Sequence, residues 1–358
     1  MDYRLPLFGR MQAQHDVRYF FLAPGDDNPP APTVYSTHRQ LRISLAPRAV
    51  TWADARNVMV GIRDADVFVT SFLGNAYTVL GGIAARLSAK PVVVWEETHE
   101  FADTLRGRAR RGIYRLLSSL ADTYFVLGTA QRDALLSLGV AAERIFIANE
   151  VPGRDYQSVA STPVALDLDP ARPVLLYLGR LIKLKGVDIL LHAFASARRH
   201  ADDAALVIAG DGPERAPLQS LAAALGLADH VRFVGHVTDP EHKRYLFERA
   251  RVLVVPSRRL HGAVEGGPLV VPEALSAGLP VVGTDALGSS TAMIRPDVNG
   301  LIVAEASVDA LAAALGDVLL HDRFDRREVR RSFEALPGHA FQAAQLNAAI
   351  ESALRRRR

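Results

Sequence analysis

Val174-Leu175-Leu176-Tyr177-Leu178-Gly179-Arg180-Leu181-Ile182-Lys183-Leu184-Lys185-Gly186 decides the fold. The first five residues are apolar without alternation, as in a strand covered on both faces of a parallel sheet. Gly179 closes that run, and Gly186 opens a helix predicted over 186–199. A buried strand passing through a short loop into a helix is half of a βαβ unit. The rhythm repeats downstream, with strands predicted at 205–209, 231–234, 252–255 and 280–283. Helices are predicted at 216–225, stopped by Gly226, and at 309–320. Upstream, strands at 17–22, 66–71, 91–95 and 124–127 alternate with helices at 78–87 and 107–120. The stretch 150–172 breaks the alternation and is rich in Pro, Ser and Asp, which reads as a linker. The expected architecture is therefore α/β: two doubly wound, Rossmann-like domains, 1–155 and 156–338, with a cleft between them. A last helix, 339–358, is expected to pack back on the first domain. Its four terminal arginines sit where the helix dipole favours cations.

Composition narrows the function. With 49% hydrophobic and 23% charged residues the chain reads as globular rather than disordered. No apolar run reaches the ~18 residues that span a bilayer. The opening Met1-Asp2-Tyr3-Arg4-Leu5-Pro6 lacks a signal-peptide pattern. The absence of cysteine excludes thiol catalysis, disulfides and cysteine-based metal sites, and the expected location is the cytoplasm. A net charge of +3 is too small to argue for nucleic acid, but it suits an anionic ligand.

Four segments carry chemistry. In Glu265-Gly266-Gly267-Pro268-Leu269-Val270-Val271-Pro272-Glu273, two carboxylates stand eight positions apart, one on a Gly-rich loop and one entering a short helix. Carboxylates accept charge-assisted hydrogen bonds from hydroxyls, and the Gly-Gly step lets backbone amides approach a ligand. Arg180 and Lys185 follow the Val174–Leu178 strand, at the end where ligands bind in open α/β sheets, and two cations there suit a diphosphate. Neither the Gly-x-Gly-x-x-Gly fingerprint nor the P-loop pattern is present. His99, in Trp95-Glu96-Glu97-Thr98-His99-Glu100, follows a strand of the first domain and is placed to orient a hydroxyl or move a proton. No second histidine lies at ligand spacing, so no metal site is expected. Finally, Arg106-Gly107-Arg108-Ala109-Arg110-Arg111-Gly112-Ile113-Tyr114-Arg115 is a basic amphipathic stretch, readable as a solvated helix face or as a contact with an anionic membrane.

Taken in order, these segments resemble family 4 glycosyltransferases, the retaining, metal-independent enzymes of the GT-B fold. Further matching segments are Ile208-Ala209-Gly210-Asp211-Gly212-Pro213, Phe233-Val234-Gly235, Val255-Pro256-Ser257 and Asn299-Gly300-Leu301-Ile302-Val303. The resemblance implies a nucleotide-diphosphate sugar as donor, a glycan or lipid-linked acceptor and no cofactor. It implies that Arg180 and Lys185, beside Gly179, bind the diphosphate and that Phe233, Val234 and Gly235 face the base. Gly266, Gly267, Pro268, Leu269 and Val270 would hold sugar hydroxyls and phosphate. Glu265 and His99 would contact the donor sugar as catalytic residues, and Glu273 the ribose. The family opens with a strand that this chain, already helix-like at Tyr3–Arg10, is expected to lack. A sugar-nucleotide epimerase of the same architecture and a non-catalytic sugar-nucleotide binder are the alternative readings.

Overall fold

The computed structural model describes residues 5–16, 59–71, 76–96, 105–166, 168–260 and 264–357. The predicted strand at 17–22 and His99 lie outside the described residues.

Two parallel sheets organise the chain. The first carries β1 (Phe68–Ser71), β2 (Val92–Glu96), β3 (Thr123–Val126) and β4 (Ile145–Ile147), in that spatial order. Alternate residues of β2 and β3 serve opposite faces, as strand periodicity requires. Val92, Val94, Tyr124 and Val126 pack with Ala84, Ala85 and Tyr114 of the helices Ala76–Leu87 and Leu105–Leu117. Val93, Trp95 and Phe125 pack instead with Leu7 and Met11 and with the long helix His339–Arg356. That helix presents Ala343, Leu346, Ala349, Ile350 and Ala353, the spacing of one apolar face. The end of the chain thus returns to cover the first sheet. Thr123 Oγ1 donates to the Ala349 carbonyl at 2.9 Å, and Arg357 Nε to Asp122 at 3.0 Å. Arg357 is therefore a packing contact between helix and sheet, and not only a charge at a helix end.

The second sheet has the order β10-β9-β8-β5-β6-β7, all parallel. Its strands are β5 (Val174–Leu178), β6 (Ala205–Ala209), β7 (Val231–Gly235), β8 (Val252–Val255), β9 (Val281–Thr284) and β10 (Gly300–Val303). Counted from its own first strand this is the 3-2-1-4-5-6 order, which reverses direction between β5 and β8. β5, β6 and β8 are buried almost throughout, so their unbroken apolar runs are explained by helices on both faces. The stretch read as a linker is not a free tether: Tyr156 and Leu166 are buried in the core of the second sheet. The predicted helix at 186–199 is Val187–Ala197, because Gly186 sits at φ +65° outside it and Arg198–His200 tightens into a 3-10 turn.

Candidate functional site

The reversal of strand order leaves a crevice outside the carboxyl ends of β5 and β8. The sequence fills it from both sides. After β5 the chain runs through Gly179 and Arg180 into a 3-10 turn, Lys183–Lys185. After β8 it runs through Pro256 and Ser257. The two loops touch at Gly186, where an added Cβ would overlap the Pro256 carbonyl oxygen. Buried Tyr177 pins the first loop, its hydroxyl donating to the Arg180 carbonyl at 2.8 Å. Burial, reinforced by the charge of Glu265, pushes the Tyr177 hydroxyl far above the ordinary tyrosine range, so it stays a donor. The turn after β6 braces the same loop from behind. Leu181 N donates to the Asp211 carbonyl at 2.8 Å, and Glu214 N to the Leu181 carbonyl at 3.1 Å.

Lys185 and Glu265, eighty residues apart, meet in this crevice as an ion pair between Nζ and Oε1. Their side chains are only 13% and 9% exposed. The other Glu265 oxygen accepts from the Ser257 hydroxyl. A charge pair this sheltered from water is costly to break from one side only. Arg180, by contrast, is exposed at the lip of the crevice.

Glu273 belongs to a separate cluster. It stands in the helix Val270–Ser276 and pairs with Lys243 Nζ at 2.9 Å. The Tyr156 hydroxyl donates to Glu273 Oε1 at 3.3 Å, and Lys243 Nζ also lies 5.5 Å from the centre of the Tyr156 ring. Burial and the neighbouring Glu273 charge raise the Tyr156 hydroxyl far above its usual range, which fixes it as a donor to the carboxylate. Neither Tyr156 nor Lys243 was a candidate from sequence. Lys243 has a legible signal: Asp239 Oδ1 caps Glu241 N at 2.8 Å and Pro240 opens the helix Pro240–Arg249.

Between the two glutamates, Gly266, Gly267, Pro268 and Leu269 form a loop that hands over to Val270 at the start of the helix. Ser289 holds the loop through its N–H and hydroxyl, which donate to the Gly266 carbonyl at 3.3 and 3.1 Å. Ser289 also abuts the first domain: a Cβ added at Gly128 would lie 2.6 Å from Ser289 Cβ. Phe233, Val234 and Gly235 end β7, at the same edge of the sheet but two strands from β5 and half-buried. The structure therefore brings Lys185 together with Glu265, pairs Glu273 with Lys243 instead, and leaves the end of β7 two strands away from β5. Among the described residues no group of three or more His, Asp or Glu is placed to hold a metal ion.

Residues 161–334 match the family described as Glycosyl transferases group 1. Among curated proteins, the chain is 31% identical over 254 residues to a GDP-mannose-dependent alpha-(1-6)-phosphatidylinositol monomannoside mannosyltransferase of Mycolicibacterium smegmatis, covering 68% of this chain and 65% of that protein. It is 40% identical over 152 residues to the protein of the same description from Mycobacterium tuberculosis, covering 42% of this chain and 39% of that protein. The chain thus spans less than two thirds of the length of these relatives. Among solved structures it is similar to the lipopolysaccharide outer core galactosyltransferase WaaB in its apo form, with a TM-score of 0.65 at 20% identity over 83% of this chain and 78% of that one. It is also similar to Anabaena Alr3699/HepE in complex with UDP, with a TM-score of 0.68 at 19% identity over 84% and 82%. The fold is accordingly GT-B, two Rossmann-like domains facing a cleft.

Proposed function

We propose that the chain, whose residues 161–334 match the family Glycosyl transferases group 1, is a retaining, family 4 glycosyltransferase that takes a sugar from a nucleotide-diphosphate donor without a metal ion. The observation that carries this reading is the Lys185–Glu265–Ser257 cluster at the strand-order reversal. A sheltered cation beside a sheltered carboxylate suits a substrate with a diphosphate on one side and a neutral polyol on the other. Arg180 and Lys185 neutralise the departing diphosphate, work that preorganised charges in a partly dry site do well. Glu265 faces the sugar near its anomeric carbon. The acceptor oxygen bonds to that carbon on the face from which the phosphate oxygen leaves, and the acceptor proton passes to that phosphate oxygen. Gly179 and the loop from Gly266 to Val270 line the donor, Phe233–Gly235 faces the base, and Glu273 holds the ribose diol. His99 contacts the donor sugar from the first domain, which also takes the acceptor, a glycan or lipid-linked sugar.

The names of the relatives support this proposal. A GDP-mannose-dependent enzyme and a UDP complex both point to a UDP- or GDP-sugar donor. The phosphatidylinositol monomannoside acceptor of the first relative supports a lipid-linked acceptor. The reading includes a cytoplasmic location and turnover that is unchanged by a chelator.

Calorimetric titration with UDP, GDP, ADP and CMP, beside Lys185→Ala, tests the donor site. One diphosphate should bind at micromolar strength, and Lys185→Ala should weaken it about a hundredfold, the scale of a lost charge-assisted contact. Unchanged affinity in the variant would remove Lys185 from the site.

Lys243 gives a second prediction. If Lys243 and Tyr156 orient the Glu273 carboxylate toward a ribose diol, Lys243→Ala loosens that acceptor. Affinity for the ribonucleotide should fall about tenfold, the equivalent of one charged hydrogen bond. Its preference over the 2′-deoxynucleotide should largely disappear. A variant that still discriminates ribose from deoxyribose would detach Lys243 from the sugar.

A further inference from the structure

Lys185 stands at a bend. Before Gly186 runs the 3-10 turn Lys183–Lys185, and after it the helix Val187–Ala197. So short a turn satisfies few of its own carbonyls and needs donors from elsewhere. One residue supplies them. Arg258 N donates to the Leu184 carbonyl at 2.9 Å, and Arg258 Nε to the Lys183 carbonyl at 2.8 Å. Arg258 Nη1 donates to Asp188 Oδ2 at 2.9 Å, and Asp188 lies in the first turn of the helix beyond the bend. A single arginine thus grips the chain on both sides of Gly186.

Arg258 is itself held by its neighbours in sequence. The Ser257 hydroxyl donates to Glu265, and the Ser257 carbonyl accepts from the Thr284 hydroxyl. Arg259 turns the other way. Its Nη1 donates to Glu305 Oε1 at 2.6 Å, and Glu305 N donates to Asp285 Oδ1 at 3.0 Å. Asp285 follows β9 and Glu305 follows β10. The segment from Ser257 to Arg259 is therefore fastened to Glu265 and to the loops after β9 and β10, and Arg258 carries that frame across to the turn after β5.

The Arg258–Asp188 pair is 20% and 42% exposed. Charges that wet attract one another only weakly, so the contribution of Arg258 is direction more than energy. Its guanidinium is a rigid planar fork, whereas Lys185 places its ammonium at the end of a flexible four-carbon stem. Such a stem delivers charge to one point only when the backbone beneath it is fixed. We infer, on the strength of the donor-site reading above, that Arg258 is a positioning residue of the donor site. It holds the turn that carries Lys185, so that the ammonium meets the diphosphate, and it acts without touching the substrate.

A double-mutant cycle on the full chain, read by calorimetry with UDP and GDP, tests this role. Arg258→Met keeps the stem and removes the side-chain donors, and should weaken the diphosphate that binds by about tenfold. In a Lys185→Ala background the same change should cost less than about twofold, because a residue that acts through Lys185 then has nothing to position. Arg258→Lys keeps the charge and one donor. Its loss should be about threefold, and it should likewise vanish without Lys185. Losses that multiply in the double variants would overturn the inference, by showing that Arg258 meets the phosphates itself. A lowered melting temperature with wild-type diphosphate affinity would also overturn it, reducing Arg258 to a structural contact. A folded wild-type chain that binds neither diphosphate would bring down the donor-site reading, and this inference with it.

Discussion

Glu265→Gln should lower turnover by ~10²–10³-fold while leaving nucleoside diphosphate affinity within about threefold of wild type. The change keeps the shape of the side chain and its acceptor for the Ser257 hydroxyl, and removes only the charge. Two consequences oppose each other. At the sugar, the reacting carbon gains positive character as the phosphate bond lengthens. A fixed carboxylate nearby stabilises that state more than the ground state, so its loss falls on kcat. At the diphosphate, Lys185 is released from its partner and presents a full positive charge to the phosphates. Affinity therefore should not weaken, and a modest tightening is the expected sign. A side chain as sheltered as Lys185 also loses a buried ion pair in the empty enzyme, so the variant should melt below wild type and recover more of the difference when nucleotide is added. Steady-state kinetics with a matched acceptor, beside calorimetry, separates the two terms. Equal losses in kcat and affinity would reduce Glu265 to a binding group. An unchanged kcat would remove it from the chemistry.

The sequence and the structure agree best where a residue's neighbours are set by strand order. Lys185 and Glu265 were legible because each follows a buried parallel strand, and such strands deliver their loops to one edge. Their direct pairing was not legible, since it depends on β5 and β8 being adjacent in space, and strand order is a long-range property. Ser257 stood in the matched Val255-Pro256-Ser257 segment, but nothing local said that its hydroxyl would face Glu265. Tyr156 was hidden by its surroundings. A stretch of Pro, Ser and Asp looks like a tether, yet a single aromatic anchor buries it against Phe247, ring centres 5.3 Å apart. The helices Pro240–Arg249 and Arg326–Glu334 were missed because their sequences are mostly charged, which blurs the apolar period. Their caps, Asp239 and Asp325, were the available signal. The His339–Arg356 helix was easier, since its Ala and Leu recur at helical spacing.

Strand order also decides which backbone position is least tolerant of change. Gly186→Ala should lower stability by about 3 kcal/mol or more and abolish tight diphosphate binding, because the substitution strikes the contact between the loops after β5 and β8. Two penalties act together. Gly186 sits at φ +65°, in the left-handed region that costs an L-residue ~1–2 kcal/mol. Its added Cβ would also overlap the Pro256 carbonyl oxygen, a backbone atom that cannot rotate away. Relief requires the two loops to separate, which pulls Lys185 away from Glu265 and from Ser257 beside Pro256. Gly226 supplies the control. Its φ is +69°, nearly the same, but no heavy atom lies within 4 Å of an added Cβ. Gly226→Ala therefore carries the conformational penalty alone, ~1–2 kcal/mol, and should leave nucleotide affinity untouched. Thermal melting should show Gly186→Ala falling by roughly 10 °C and Gly226→Ala by only a few degrees, on the scale of a domain of this size. If the two variants melt alike, the strain lies in the φ angle and the junction of the loops is slack. If Gly186→Ala melts low yet binds nucleotide as wild type does, Lys185 does not depend on that junction for its place in the site.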